Sequence, residues 1–171
     1  GSIILRTAPV LAIDSTSSSN GANVSTINWS HTVSGTNRLL VVGVGVRAYT
    51  SVSSITYAGQ ALTNSGAVQA GSGDFSRAEL WYLVNPTSGT HPIKITLGAA
   101  DWLQAGAVSF TGVNQTTPLG TFASASGTTG TSASVDVTSA TGEIVIDVLT
   151  FWNSTTDSTV GAGQTLRWSE T

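Results

Sequence analysis

Apolar side chains in this chain fall at alternate positions or in short runs, separated by Ser, Thr, Gly and Asn. Ile27, Trp29, His31 and Val33 alternate with Asn28, Ser30 and Thr32, which predicts a strand with one covered face. Residues 38–47 are apolar on both faces and predict a central strand. Its Gly43 and Gly45 leave room for an aromatic from the facing sheet. Ile55–Tyr57 and Ala61–Thr63 flank Ala58-Gly59-Gln60, a hairpin with glycine where positive φ is easiest. Ala78, Leu80, Tyr82 and Val84 oppose Glu79, Trp81 and Leu83 until Pro86 ends the run, and Ile93, Ile95 and Leu97 alternate with Lys94 and Thr96. Residues 102–110 are rich in Ala and Gly, so something packs close to that strand. Further strands are predicted at 121–125, 133–137 and 144–151, and a last one begins at 165–168. No helix-length segment has apolar residues at i, i+3, i+4 and i+7. About ten strands at this spacing predict an all-β, two-sheet antiparallel β-sandwich of jelly-roll type. A single domain spans 1–171, opening with an extended segment and Ser-rich loop over 1–23, of which 15–23 is the polar loop. Residues 124–134 read as a surface loop.

Composition narrows the function classes. Only 9% of residues are charged, against about 25% in an average soluble domain, so few side chains are available for acid–base work, phosphate binding or metal ligation. The net charge is −3, and the six Lys and Arg are scattered, which gives no phosphate-tracking patch and predicts no nucleic-acid partner. No apolar stretch is long enough for a membrane helix. Cysteine is absent, which removes disulfides and thiolate metal sites. Methionine is absent too, and the chain reads as a processed product or a piece of a longer protein. Abundant Ser and Thr with scarce Lys and Glu point to an extracellular location, secreted, surface-attached or in a virion.

Candidate chemistry is sparse. Glu79, Glu143 and Asp147 lie on predicted strands, where two facing carboxylates would suit glycoside hydrolysis; pairing of Glu79 with Arg77 and a hydroxyl bond from Asp147 are the simpler readings. His31 shares the Trp29 face and reads as a half-buried partner for a hydroxyl, while His91 precedes Pro92 in a solvated turn. No Gly-x-Ser-x-Gly elbow accompanies them. No cofactor is expected; a structural Ca²⁺ on the loop aspartates Asp14, Asp74, Asp101 and Asp157 is the one metal alternative, without an Asp-x-Asp run to unite them. Trp81 and Tyr82 read as core. Trp152, Trp102 and Tyr49 sit at strand ends or loops and are the candidate stacking or interface aromatics.

Several phrases together carry a resemblance: Asn28-Trp29-Ser30-His31-Thr32-Val33, Arg38-Leu39-Leu40-Val41-Val42-Gly43-Val44, Ile55-Thr56-Tyr57-Ala58-Gly59-Gln60-Ala61-Leu62, Glu79-Leu80-Trp81-Tyr82-Leu83-Val84-Asn85-Pro86, Phe110-Thr111-Gly112-Val113-Asn114-Gln115-Thr116-Thr117-Pro118-Leu119-Gly120 and Gly163-Gln164-Thr165-Leu166-Arg167-Trp168. From about Val24 onward the chain resembles a poorly characterised β-sandwich module of large secreted, surface or phage-associated bacterial proteins. The resemblance implies no catalytic residues. It does imply a further strand pair after the Gln164–Trp168 phrase, without which one sheet has an open edge or an apolar groove. A donated strand from another copy would repair that edge, and the apolar residues 2–10 are either such a donor or, more simply, the first strand of their own sandwich. The expected function is that of a non-enzymatic structural or adhesive unit, with copies of itself or a surface glycan as partner. The alternative is a carbohydrate-binding module of a glycan-degrading enzyme; a glycosidase or lyase is a distant third.

Overall fold

The computed structural model describes residues 10–47, 50–70, 76–127, 132–151 and 158–170. Seven strands follow in chain order: β1 (Ala12–Val33), β2 (Leu39–Arg47), β3 (Val52–Tyr57), β4 (Gln60–Ala61), β5 (Thr63–Gln69), β6 (Ser76–Val84) and β7 (Gly89–Thr111). All pairings are antiparallel, and no helix occurs among the described residues. The strands form one sheet in the order β4-β3-β7-β2-β6-β5, with β1 along the other edge of β7.

Two long strands bend this sheet into a nearly closed, barrel-like shape. β1 and β7 pair from Ala12↔Thr111 to Val33↔Gly89. On its second edge β7 takes β3 over Ile93–Leu97 and β2 over Leu103–Phe110. Between these partners the β1–β7 ladder slips at Gly21/Val24 and again at Val24/Thr26, and Asn23 adopts φ 53°. Such bulges bend a strand and sharpen its twist, so the two halves of β1 and β7 fold face to face. Leu40, Val42, Val44 and Val46 of β2 then meet Ile93 and Ile95 of β7 and Ile55 and Tyr57 of β3 in one buried core. The Ala58-Gly59 turn has φ of 50° and 79°, the paired positive values of a tight hairpin.

Several strand assignments change. Residues 15–23, expected as a polar loop, are strand: Ser15, Ser17 and Ser19 oppose Ser109, Ala107 and Ala105, and the Ser15 and Ser17 hydroxyls reach the buried His31. The runs at 93–97 and 102–110 are one strand, and His91 lies within it. The second arm of the hairpin continues as β5 to Gln69. Residues 121–125, 133–137, 144–151 and 165–168 join no ladder among the described residues, whose strands hydrogen-bond as one antiparallel all-β sheet.

These later residues nevertheless lie on the sheet's outer face, on a shelf made by glycines. Gly43 and Gly106 are directly paired. A Cβ at Gly106 would overlap the Trp168 indole, one at Gly43 would lie 3.2 Å from Val148 and 3.5 Å from Trp168, and one at Gly66 would overlap Phe122. Gly43 and Gly106 thus receive the Trp168 indole, from a segment in no described ladder, whereas Gly45 meets Thr150. Ile146 packs with them over Leu39, Val41 and Phe110. Gly106→Ala is expected to lift Trp168 off the shelf at a cost of about 1–3 kcal/mol. Tryptophan emission should shift to the red in this variant, and the shift should vanish in a Trp168→Phe background.

Candidate functional site

Trp102 is the sequence-selected aromatic that the structure places, and it is 52% exposed. Its position follows from the bend. Leu103 pairs with Gly21 and Asp101 with Val24, so Trp102 stands opposite the bulged residues Ala22 and Asn23, whose slip turns the indole outward. Asp101 is a strand residue, not a loop one, and its Oδ1 accepts the Trp102 N–H at 2.8 Å. Beside the indole lies a shallow hollow of ≈ 50 Å³, lined by Asn20, Gly21, Ala22, Trp102, Leu103 and Gln104. Asn20 and Gln104 face each other across the ladder, and Asn20 Nδ2 donates to Glu170 Oε2 at 2.5 Å. The other two candidates, Trp152 and Tyr49, lie outside the described residues. Asn20, Gln104 and Glu170 were missed because 15–23 read as a loop; the usable signal was a polar stretch long enough to run beside residues 102–110.

A second polar cluster is sealed inside the fold of β1. His31 is 1% exposed. Its Nδ1 lies 2.7 Å from Ser17 Oγ and its Nε2 3.2 Å from Ser15 Oγ. Trp29 Nε1 donates to Ser17 Oγ at 2.8 Å, so Ser17 links the indole to the imidazole. Ser15 in turn donates to the Thr32 carbonyl. Ser109 donates to Asp14 Oδ2 at 2.8 Å, and its Oγ lies 3.0 Å from Ser15 Oγ. Burial pushes the His31 pKa down, against a smaller upward pull from Asp14. Asp14 feels burial upward, but the Ser34 hydroxyl and N–H, with Ser109, outweigh it and hold the carboxyl below its ordinary range. Burial raises the Tyr57 pKa. The expected hydroxyl partnership of His31 is thus present, and its ring is closed to a substrate. His91 is half-buried, bonds the Ser88 carbonyl at 3.1 Å and meets the Tyr57 ring edge-on.

The acidic candidates do not converge either. Glu79 is 2% exposed and receives Arg77 Nε at 2.7 Å, Val52 N at 3.1 Å, Asn64 Nδ2 at 3.1 Å and Trp81 Nε1 at 2.9 Å. Asp147 is exposed on the outer layer and bonds Gln164 at 3.3 Å, while Glu143 accepts from Ala140 N in a local turn. Asp14 belongs to β1 and its oxygens are taken by Ser34 and Ser109; Asp74 and Asp157 lie outside the described residues. No group of three His, Asp or Glu that could hold a metal occurs among the described residues, nor does a helix long and apolar enough to cross a membrane.

The outer layer carries the remaining feature. Ile146, Val148 and Thr150 turn toward the sheet, whereas Val145, Leu149 and Phe151 are 52%, 52% and 47% exposed. A strand-like alternation thus presents an uncovered apolar row on a segment without a ladder partner among the described residues. No protein-family model matches the chain, and neither does any curated protein or solved structure.

Proposed function

We propose that the chain is a non-enzymatic extracellular structural or adhesive module that assembles with copies of itself. The observation that carries this reading is the uncovered row of Val145, Leu149 and Phe151 on a segment without a ladder partner among the described residues. Contiguous exposed apolar surface and open strand edges are association sites. A second copy suits the row because it carries one charge, Asp147. In a two-fold antiparallel pairing centred on Val148, Val145 meets Phe151 and Asp147 meets Leu149, so the carboxylates never oppose each other. The net charge of −3 adds little repulsion between copies. Pairing of this kind would draw 144–151, with its neighbours on the glycine shelf, into a second sheet and give the two-sheet, jelly-roll-type sandwich that the sequence predicts. Abundant Ser and Thr with scarce Lys and Glu are in keeping with an extracellular or virion setting.

Sedimentation velocity over a wide concentration range tests the reading. Wild type should form oligomers that grow with concentration. Leu149→Lys with Phe151→Lys should weaken association by at least about tenfold while the barrel's thermal transition stays in place. A strict monomer at high concentration, or oligomers indifferent to the double substitution, overturns self-association through this row; an added strand from another protein or another part of a longer chain would then be its occupant.

A further inference from the structure

We propose that the hollow beside Trp102 is a subsite for a neutral hexopyranose unit of a glycan, independent of the self-assembly row. Period two puts Trp102, Gln104 and Gly106 of β7 on one face, the outer one, and the direct pairing of Gln104 with Asn20 brings the β1 amide to the same face. Trp168 rests on Gly106, about 13 Å along the strand from Trp102 at 3.3 Å per residue. Two residues after Trp168, Glu170 holds the Asn20 amide. The strip therefore has an exposed indole at one end, two carboxamides and a carboxylate in the middle, and a half-buried indole at the other end.

That composition matches the surface of a sugar. The C–H face of a pyranose covers apolar area when it lies on an indole, and the ring hydroxyls need donors and acceptors together. An amide supplies both, and a carboxylate accepts strongly from a hydroxyl. The carboxylate also selects among glycans, since Glu170 at the rim repels uronic acids and sulfated sugars and leaves neutral ones favoured. The hollow is shallow, ≈ 50 Å³, so it suits one unit of a chain passing along the surface and not an engulfed small molecule.

Affinity electrophoresis of the whole chain in gels containing hydroxyethylcellulose, galactomannan or polygalacturonate tests this. The proposal expects retardation in at least one neutral gel and none in polygalacturonate. Trp102→Ala, and separately Asn20→Ala with Gln104→Ala, should weaken retardation about tenfold or more, whereas Trp102→Phe should keep most of it. Thermal unfolding and sedimentation of Trp102→Ala should match wild type, because the indole is half in solvent; this separates loss of glycan binding from loss of fold or assembly. Free mobility in both neutral gels, retardation by polygalacturonate alone, or retardation unchanged by Trp102→Ala overturns the proposal.

Discussion

Glu79→Ala is expected to lower the unfolding free energy by about 3–5 kcal/mol, because it orphans several donors at about 1–3 kcal/mol each. Its carboxylate does more than pair with Arg77. It collects Val52 N from β3, Asn64 Nδ2 from β5 and Trp81 Nε1 from β6, so it ties the β5–β6 edge to β3 across the inside of the barrel. Arg77 is 24% exposed and can turn to water, but the Val52 N–H cannot follow it, and an unpartnered buried donor is costly. The penalty therefore comes mainly from orphaned donors and less from the lost ion pair. Glu79→Gln separates the two: its amide keeps one acceptor oxygen but points donor hydrogens at donors, so it should lie between wild type and alanine. Urea unfolding measures both. A loss under about 1 kcal/mol for alanine would show that this carboxylate does not hold the barrel together.

The same residue shows what the sequence makes legible. Local features were readable: the Arg77–Glu79 pair two residues apart on one strand face, the Ala58-Gly59 turn, and the both-faces-apolar β2. Glu79's bonds to Val52 and Asn64 depend on how the sheet coils, and nothing in a period-two pattern fixes that. The largest misreading, residues 15–23 as a loop, has a physical cause. Strand patterns are recognised by apolar residues on the covered face, and here that face bears serines whose partners, His31 and Ser109, are contributed by distant positions. Merging 93–97 with 102–110 was hidden for a related reason, since Gly98, Ala99 and Ala100 at the bend carry almost no pattern. For the site, Trp102 was legible as an aromatic at a junction, whereas its neighbours Asn20 and Gln104 depended on the unrecognised strand. Positions 144–151 show the opposite case. Their alternation is strand-like and half of it meets the shelf, yet a ladder needs a neighbour that the described residues do not provide.

Stability should fall in two steps as the solution is acidified, the first carried by His31. Its folded pKa is depressed from 6.5 by burial, so below about pH 6.5 the unfolded chain takes up a proton that the native ring refuses. Linkage then makes the contribution complete above 6.5 and progressively lost as pH falls toward the folded value. Burial explains the refusal, because a charged imidazole sealed at 1% exposure loses its hydration. The Asp14 charge pulls the other way but more weakly, while Tyr57 meets the ring edge-on and His91 lies beyond it. The second step belongs to Asp14, whose folded pKa is held below 3.8; its contribution is present above 3.8 and lost as pH falls through the folded value. His31→Gln removes the first titration while keeping polar atoms among the serines. At pH 7 the variant should be less stable by about 2–3 kcal/mol through imperfectly matched partners. Wild type should approach it as pH drops to 5, because only wild type loses stability there. Parallel pH profiles for the two proteins would assign the slope to another group and leave the sealed imidazole no part in the acid response.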